Sequence, residues 1–169
     1  MTKKIIFLLS TLFVVLLVDQ WSKIYVHGHF ELEESISVLG DFFRITYVRN
    51  PGAAFGLFGT MPALFRKVFF LLLTPVALSF LGYFLTTVSK KDSFQILAIS
   101  LVFSGAIGNY IDRLRFEYVI DFLDFTLPIY GRYPAFNVAD MAIVCGVFSL
   151  FYCFLLEEKQ RKEALSSKK

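Results

Sequence analysis

Four long apolar segments constrain the fold of this chain more than any other feature of its sequence. They cover residues 5–26, 66–88, 94–111 and 138–156, and each is close to the length of about 20 apolar residues that a helix needs to cross a bilayer. The chain of 169 residues is 56% hydrophobic and contains 21 phenylalanines, which is too apolar for a soluble domain of this size. We therefore expect an all-α integral membrane protein whose four transmembrane helices form a single membrane-embedded domain, residues 1–169.

The first apolar segment imitates a secretory signal peptide, because Lys3 and Lys4 precede it. No small-x-small cleavage site follows, and the segment ends instead in a polar run, residues 19–23. We therefore expect it to remain in the protein as the first transmembrane span.

Four crossings place both termini on the same side of the membrane. Lysine and arginine are densest in the short tails and in the hairpin near Lys90, whereas those on the opposite side are spread over two long loops. The positive-inside rule therefore predicts cytoplasmic termini. The two loops, about residues 27–61 and 112–136, then lie outside the cytoplasm.

The first of these loops contains a predicted strand. Residues 43–49 alternate imperfectly and are rich in β-branched and aromatic side chains, a pattern typical of β-structure. Asn50, Pro51 and Gly52 follow as a turn signal. We expect a small extracytoplasmic β-sheet that lies on the membrane surface.

Carboxylates from different spans are predicted to meet near the outer face of the membrane. Asp19 lies in the outer third of the first span, Asp112 follows the third, and Asp140 lies in the first turn of the fourth. Asp121 is in the loop between the third and fourth spans, so it can reach the same depth. Charged groups in a membrane span are costly and usually functional, so this convergence predicts a functional site.

Helical spacing adds polar neighbours to these acids. Three groups are each expected to share one helical face: Asn109 with Asp112 and Arg113, Asn137 with Asp140, and Asp19 with Lys23. Structural alternatives stay open here. Asp19 and Lys23 can form a simple interfacial ion pair, and Asn137 with Asp140 fits a variant of the helix capping box.

The sequence lacks the motifs of several other chemistries. It has no His-Glu-x-x-His zinc motif and no Gly-x-Ser-x-Gly elbow, and its two histidines, His27 and His29, sit together in a loop. We therefore expect no metal ion and no cofactor. The net charge of +3 is dispersed, without a basic stripe that would suit a nucleic acid.

Carboxylates remain as the reactive groups. Two close carboxylates share a proton, so one can act as a base on water while the other polarises a carbonyl group. This chemistry favours amide hydrolysis by a pair of aspartates. Spacing alone leaves four candidates eligible: Asp112, Asp121, Asp124 and Asp140.

Two functions of other classes are alternatives at this point. A small ion- or proton-conducting membrane transporter would also place acids inside spans, but it would need them across the whole depth of the bilayer. Here the acids stop at one end. A non-catalytic assembly or chaperone module in the membrane is the third hypothesis.

Five short motifs, in this order along the chain, carry a resemblance to a known family. They are Asp19-Gln20-Trp21-Ser22-Lys23, Asn50-Pro51-Gly52-Ala53-Ala54-Phe55, Gly105-Ala106-Ile107-Gly108-Asn109-Tyr110-Ile111-Asp112-Arg113, Val119-Ile120-Asp121-Phe122 and Phe136-Asn137-Val138-Ala139-Asp140. Together they resemble the motifs of lipoprotein signal peptidase, also called signal peptidase II. The resemblance runs from the first span to the last.

The resemblance implies an aspartic endopeptidase of the bacterial cytoplasmic membrane. Its partners would be membrane lipids and a prolipoprotein that carries diacylglycerol on its cysteine, and cleavage would fall just before that cysteine. The enzyme would act as a monomer. By motif, the catalytic pair would be Asp121 and Asp140. The residues that shape and support the pocket would be Asp19, Lys23, Asn50, Gly52, Asn109, Asp112, Arg113 and Asn137.

Overall fold

The computed structural model describes residues 3–53, 57–90, 92–129 and 131–166. It contains four long helices: α1 (Lys3–His29), α2 (Ala63–Thr87), α3 (Ser93–Phe116) and α4 (Val138–Ser166). Each is long and apolar enough to cross a membrane, which confirms the four predicted spans. The chain is a multi-pass membrane protein. The helices extend beyond the predicted limits, most clearly at the C-terminal ends of α3 and α4.

Helix α3 is the central helix of the bundle. In the most apolar 18-residue stretch of α3, 44% of the residues are buried inside the protein. The corresponding share is 11% in α1 and in α2, and 17% in α4. The other helices expose large apolar side chains, among them Phe13, Leu72 and Phe148. A face of this kind is stable against lipid tails rather than water.

Helices α3 and α4 approach closely because glycine lies at their contact. A Cβ atom on Gly146 would lie 2.7 Å from the carbonyl oxygen of Ala98, and one on Gly105 would clash with that of Ala139. Small residues let helix backbones come together in a membrane, where packing rather than water exclusion holds helices in contact.

The two ends of the bundle are chemically different. At one end, the Lys4 ammonium donates to the carbonyl oxygens of Leu85 (2.9 Å) and Thr86 (2.8 Å), which are among the last residues of α2. The start of α1 therefore lies beside the connection between α2 and α3. The small sheet and the polar side chains lie at the opposite end.

The sheet has four antiparallel strands in the order β1-β2-β3-β4: β1 (Ser35–Leu39), β2 (Phe43–Asn50), β3 (Val119–Leu127) and β4 (Gly131–Arg132). The predicted small sheet and its strand at residues 43–49 are confirmed. A cluster of Val26, Tyr47, Ile120 and Phe122 packs the sheet against the end of α1.

Three local expectations were wrong. His27 and His29 lie in the last turn of α1 and not in a loop, because this helix continues to His29. Asp121 lies in strand β3 and not in a loop, because residues 119–125 pair with β2 and most of them are apolar, β-branched or aromatic. Asp112 lies inside α3 and does not follow it. This helix continues to Phe116 and ends at Glu117, whose φ of 66° is left-handed and whose N–H donates to the Arg113 carbonyl oxygen.

Candidate active site

A cavity of about 680 Å³ lies beneath the sheet, between α2 and α4. Its polar end is lined by Asn50, Asn109, Arg113, Asp121 and Asp140. Its other end is apolar and is formed by side chains of α2 and α4, including Leu73, Ala77, Met141 and Val144. The cavity therefore joins a group of carboxylates and amides to a surface suited to hydrocarbon.

Asp121 reaches the cavity from strand β3. It is 2% exposed, and both of its oxygens accept hydrogen bonds from side-chain amides. Asn50 donates to Oδ2 at 3.0 Å, and Asn137 donates to Oδ1 at 2.7 Å. Strand β2 supplies Asn50, so the pairing of β2 with β3 sets this contact.

Asp140 reaches the same cavity from the first turn of α4. Asn109 on α3 donates to its Oδ1 at 2.7 Å, and the backbone N–H of Asn137 donates to its Oδ2 at 3.3 Å. In return, the Oδ1 of Asn137 accepts the backbone N–H of Asp140 at 2.9 Å. This reciprocal pair is the capping box that spacing suggested.

Asn137 therefore has two roles that spacing treated as alternatives. It caps α4 through its oxygen, and through its Nδ2 it binds Asp121. Asn137 thus bonds both carboxylates of the cavity, since its Nδ2 donates to Asp121 Oδ1 and its backbone N–H donates to Asp140 Oδ2, and the residue is 0% exposed.

Burial raises the pKa of Asp121, and the negative charge of Asp140 raises it further. The hydrogen bonds from Asn50 and Asn137 act in the opposite direction, because they stabilise the carboxylate. The net result is a pKa of about 7. The Asp121 carboxyl group therefore keeps its proton to a higher pH than an ordinary aspartate does.

Arg113 ties the turn after β2 to the cavity. Its guanidinium donates to the carbonyl oxygen of Gly52 at 2.9 Å and to that of Asn109 at 3.2 Å, and it lies 4.5 Å from the ring centroid of Phe70. The Gly52 N–H in turn donates to Asn50 Oδ1 at 3.0 Å. Ala54 and Phe55, the last residues of this predicted motif, lie outside the described residues.

Lys23 lies at the centre of a buried ionic cluster behind the cavity. Its ammonium is 2.9 Å from Asp19 Oδ2 and 3.0 Å from Asp112 Oδ2. All three side chains are at most 1% exposed. The pair of Asp19 and Lys23 is therefore buried inside the protein and forms part of a larger cluster with Asp112.

Two of the four eligible carboxylates do not line the cavity. Asp112 is bound by Lys23 and by the backbone N–H of Ile120 at 3.1 Å. Asp124 pairs at 2.6 Å with Arg132. Burial favours the neutral form of Asp124, but hydrogen bonds from Arg132 and Thr46 outweigh it and hold its pKa below the usual value.

Sequence reasoning missed two contributors to these contacts. Gln20 donates to Asp19 Oδ2 at 3.1 Å and to Asp112 Oδ1 at 3.0 Å. Arg132 neutralises Asp124. The position of Gln20, a polar residue next to Asp19 inside a membrane span, could have indicated its role. The contact of Arg132 with Asp124 could not be predicted in this way, because it depends on the pairing of β3 with β4. In the described part of the chain, no group of three or more His, Cys, Asp or Glu side chains could hold a metal ion.

Comparison with known proteins gives consistent results over nearly the whole chain. A family model described as signal peptidase (SPase) II matches residues 11–156. The lipoprotein signal peptidase of Syntrophus aciditrophicus (strain SB) is 45% identical over 163 residues, which cover 95% of this chain and 99% of that protein. That of Moorella thermoacetica is 44% identical, covering 89% of this chain and 93% of the relative.

A solved structure agrees with the fold. It is a bacterial membrane enzyme determined by the in meso method at 2.3 Å resolution, with 33% sequence identity and a TM-score of 0.79. The match covers 92% of each chain. Nothing in these comparisons supports the transporter alternative. From the family match and the close relatives together, the chain belongs to the signal peptidase II family.

Proposed function

We propose that this peptidase uses Asp121 and Asp140 to remove the signal peptide from diacylglyceryl-modified prolipoproteins, cutting just before the lipidated cysteine. The observation that carries the proposal is the shared cavity: the two carboxylates come from different elements, line the same space and both accept hydrogen bonds from Asn137. The relatives named lipoprotein signal peptidase support the same substrate class.

Hydrolysis needs one carboxylate ionised and the other protonated. Asp140 is the better site for the negative charge, because it lies at the N-terminus of α4 and accepts hydrogen bonds from Asn109 and the Asn137 backbone. Asp121, whose pKa is about 7, is the partner that keeps a proton.

The reaction then proceeds in two steps, each of which includes two proton transfers. Asp140 takes a proton from water as the oxygen of that water bonds to the scissile carbonyl carbon, and Asp121 gives its proton to the carbonyl oxygen. In the second step Asp140 returns a proton to the leaving nitrogen as the C–N bond breaks. Asp121 takes back the proton of the hydroxyl group as the new carboxyl group forms, and both carboxylates return to their starting state.

The apolar end of the cavity suits a lipidated substrate. Leu73 and Ala77 of α2 and Met141 and Val144 of α4 all line it. Burial of an acyl chain contributes about 0.8 kcal/mol per CH₂ group, so the lipid anchor would supply much of the binding energy. The remote lipid would then hold the peptide bond beside the carboxylates.

The density of positive charge supports a further part of the proposal. The termini are cytoplasmic, and the sheet and carboxylates lie near the extracytoplasmic face of the bacterial cytoplasmic membrane. The proposed enzyme acts as a monomer with a single membrane-embedded domain.

Replacement of either carboxylate by its amide tests the mechanism. Asp121→Asn and Asp140→Asn should each lower cleavage of a purified lipidated precursor by at least about 10³-fold, because each removes one proton-transfer group. Both proteins should still insert and purify as folded chains. Full processing by either variant would contradict the mechanism.

Asp124→Asn is the matched control for this experiment. Asp124 lies on the same strand as Asp121 and is equally buried, but it is paired with Arg132 and does not line the cavity. The variant should retain cleavage of the precursor. Loss of activity in all three variants alike would indicate damage to the sheet and not loss of catalytic groups.

A further inference from the structure

The proposed proton transfers use Asp121 and Asp140, and they leave the buried Lys23 without a role. Its ammonium group has three N–H donors, and all three are used. Two donate to the carboxylates of Asp19 (2.9 Å) and Asp112 (3.0 Å), and the third donates to Asn109 Oδ1 at 2.9 Å. The carboxylates neutralise the lysine, whereas the bond to Asn109 points toward the active site.

The position of Lys23 is itself fixed from several sides. Asp19 Oδ1 accepts the backbone N–H of Ala139 at 2.8 Å, and Asp112 Oδ2 accepts that of Ile120 at 3.1 Å. Ala139 precedes Asp140 on α4, and Ile120 precedes Asp121 on β3. The lysine is therefore held in register with the two elements that carry the carboxylates.

Asn109 has one favourable orientation in this setting. Its Oδ1 accepts hydrogen bonds from Lys23 (2.9 Å) and from Asn137 Nδ2 (3.2 Å), and its Nδ2 donates to Asp140 Oδ1 at 2.7 Å. A flipped amide would direct N–H groups at the ammonium and an oxygen at the carboxylate. Both contacts would be repulsive.

Asn137 alone is a weak anchor for this orientation. Its Nδ2 has two hydrogens but lies near three acceptors: Asp121 Oδ1 at 2.7 Å, Asn109 Oδ1 at 3.2 Å and the Ile120 carbonyl oxygen at 3.3 Å. The shortest of these bonds goes to Asp121. Lys23, which carries a full charge and lies closer to Asn109, is the stronger donor.

We propose that Lys23 is a positioning residue that fixes the orientation of the Asn109 side-chain amide. In this orientation the amide donates to Asp140 and holds its carboxylate in place to take a proton from water. The assignment rests on the proposed function, since it requires Asp140 to be the base. A buried lysine costs free energy inside a membrane span. The proposal gives this lysine a defined part in the reaction.

The first test removes the charged cluster without leaving an unpaired charge. In the neutral variant, Asp19→Asn, Lys23→Met and Asp112→Asn are combined, because loss of the lysine alone would leave two buried carboxylates without a partner. We expect kcat for a lipidated precursor to fall about 10- to 100-fold, as for other hydrogen-bond partners that orient a reacting group. KM should stay unchanged, because substrate contacts are intact.

A double-mutant cycle with Asn109→Ala separates positioning from a general structural effect. If Lys23 acts through Asn109, the three substitutions should lower kcat no further in the Asn109→Ala background. Multiplicative losses, a wild-type kcat in the neutral variant, or a rise in KM without a loss of kcat would each overturn the proposal.

Ser22→Ala is the matched control. Ser22 lies on the same helix between Asp19 and Lys23, but its hydroxyl donates to the backbone carbonyl oxygens of Val18 and Asp19, so its loss should leave kcat at the wild-type level. If the neutral variant does not fold, Lys23→Gln enters the same cycle, because its amide keeps a donor for the acids. Cleavage by the wild type and its loss in Asp140→Asn test the peptidase mechanism separately from these results.

Discussion

Asp121 and Asp140 carry the same functional group in different surroundings. Asp140 lies in the first turn of α4, where backbone N–H groups favour a negative charge. Asp121 lies on a strand without that dipole, and burial together with the charge of Asp140 raises its pKa to about 7. This asymmetry separates an acid from a base within one cavity.

The pH dependence of cleavage should show this asymmetry. Asp121 has to be protonated to act as the acid, so kcat should fall as the pH rises above about 7, by about tenfold per pH unit once the group is mostly ionised. The apparent pKa belongs to the pair and not to Asp121 alone. A rate that is flat from pH 6 to 9, measured with a lipidated precursor, would contradict this assignment.

Asn50→Leu provides a directional check on that profile. The Asn50 amide stabilises the ionised form of Asp121 and so lowers its pKa. Its removal should therefore raise the pKa and move the alkaline decline in rate to higher pH, whatever the change in absolute rate. A decline that stays in place, or moves to lower pH, would exclude Asp121 as the titrating group.

At this scale the sequence identified the polar side chains but not which carboxylates face each other. Asp112 and Asp140 are both near the outer ends of spans. Asp112 forms an ion pair with Lys23 only because α1 packs against α3. Asp121 and Asp124 are three residues apart, so they point to opposite faces once β3 is a strand. Such contacts depend on distant elements, which local patterns do not specify.

Among the elements, the helices were predictable and the sheet only partly so. A bilayer forces a long apolar run into a helix, so hydropathy located all four spans. Strand β3 was missed because two aspartates interrupt its apolar pattern and made it resemble a loop. Its remaining residues, Val119, Ile120, Phe122, Phe125 and Thr126, are typical of strands.

The close contact of α3 with α4 should contribute to the thermal stability of the protein. Gly146→Ala would place a methyl group 2.7 Å from the Ala98 carbonyl oxygen, so the helices must separate. Overpacking of this kind costs about 1–3 kcal/mol, and we expect a lower Tm for the purified protein. Gly82→Ala on α2 is the control, because a Cβ atom there has nothing within 4 Å. Equal Tm values for the two variants would show that α3 and α4 are not tightly packed at this point.

At the scale of the whole molecule, the orientation in the membrane can be tested by labelling. The free cysteines Cys145 and Cys153 are first replaced by serine, and single cysteines are then introduced at exposed positions. A membrane-impermeant maleimide should label Asp41→Cys, in the turn between β1 and β2, in intact spheroplasts. Glu163→Cys, near the end of α4, should react only after lysis.

The reverse labelling pattern would place the sheet and the carboxylates on the cytoplasmic side. Each labelled variant should also cleave the lipidated precursor, which establishes that the cysteine replacements preserve the native fold. The density of positive charge predicts this orientation, and the bundle places the sheet at the end opposite the start of α1.

The position of Lys23 one turn after Asp19 on the same helix also bears on biosynthesis. Helix α1 leaves the ribosome long before α3 supplies Asp112, and a lone charge inside a span raises the free energy of insertion, by up to about 2.5–3.5 kcal/mol at the centre of the span. Because its counter-ion is four residues away on the same helix, the nascent segment can enter the bilayer as a neutral pair. Asp112 joins that pair only when the later helices assemble around it.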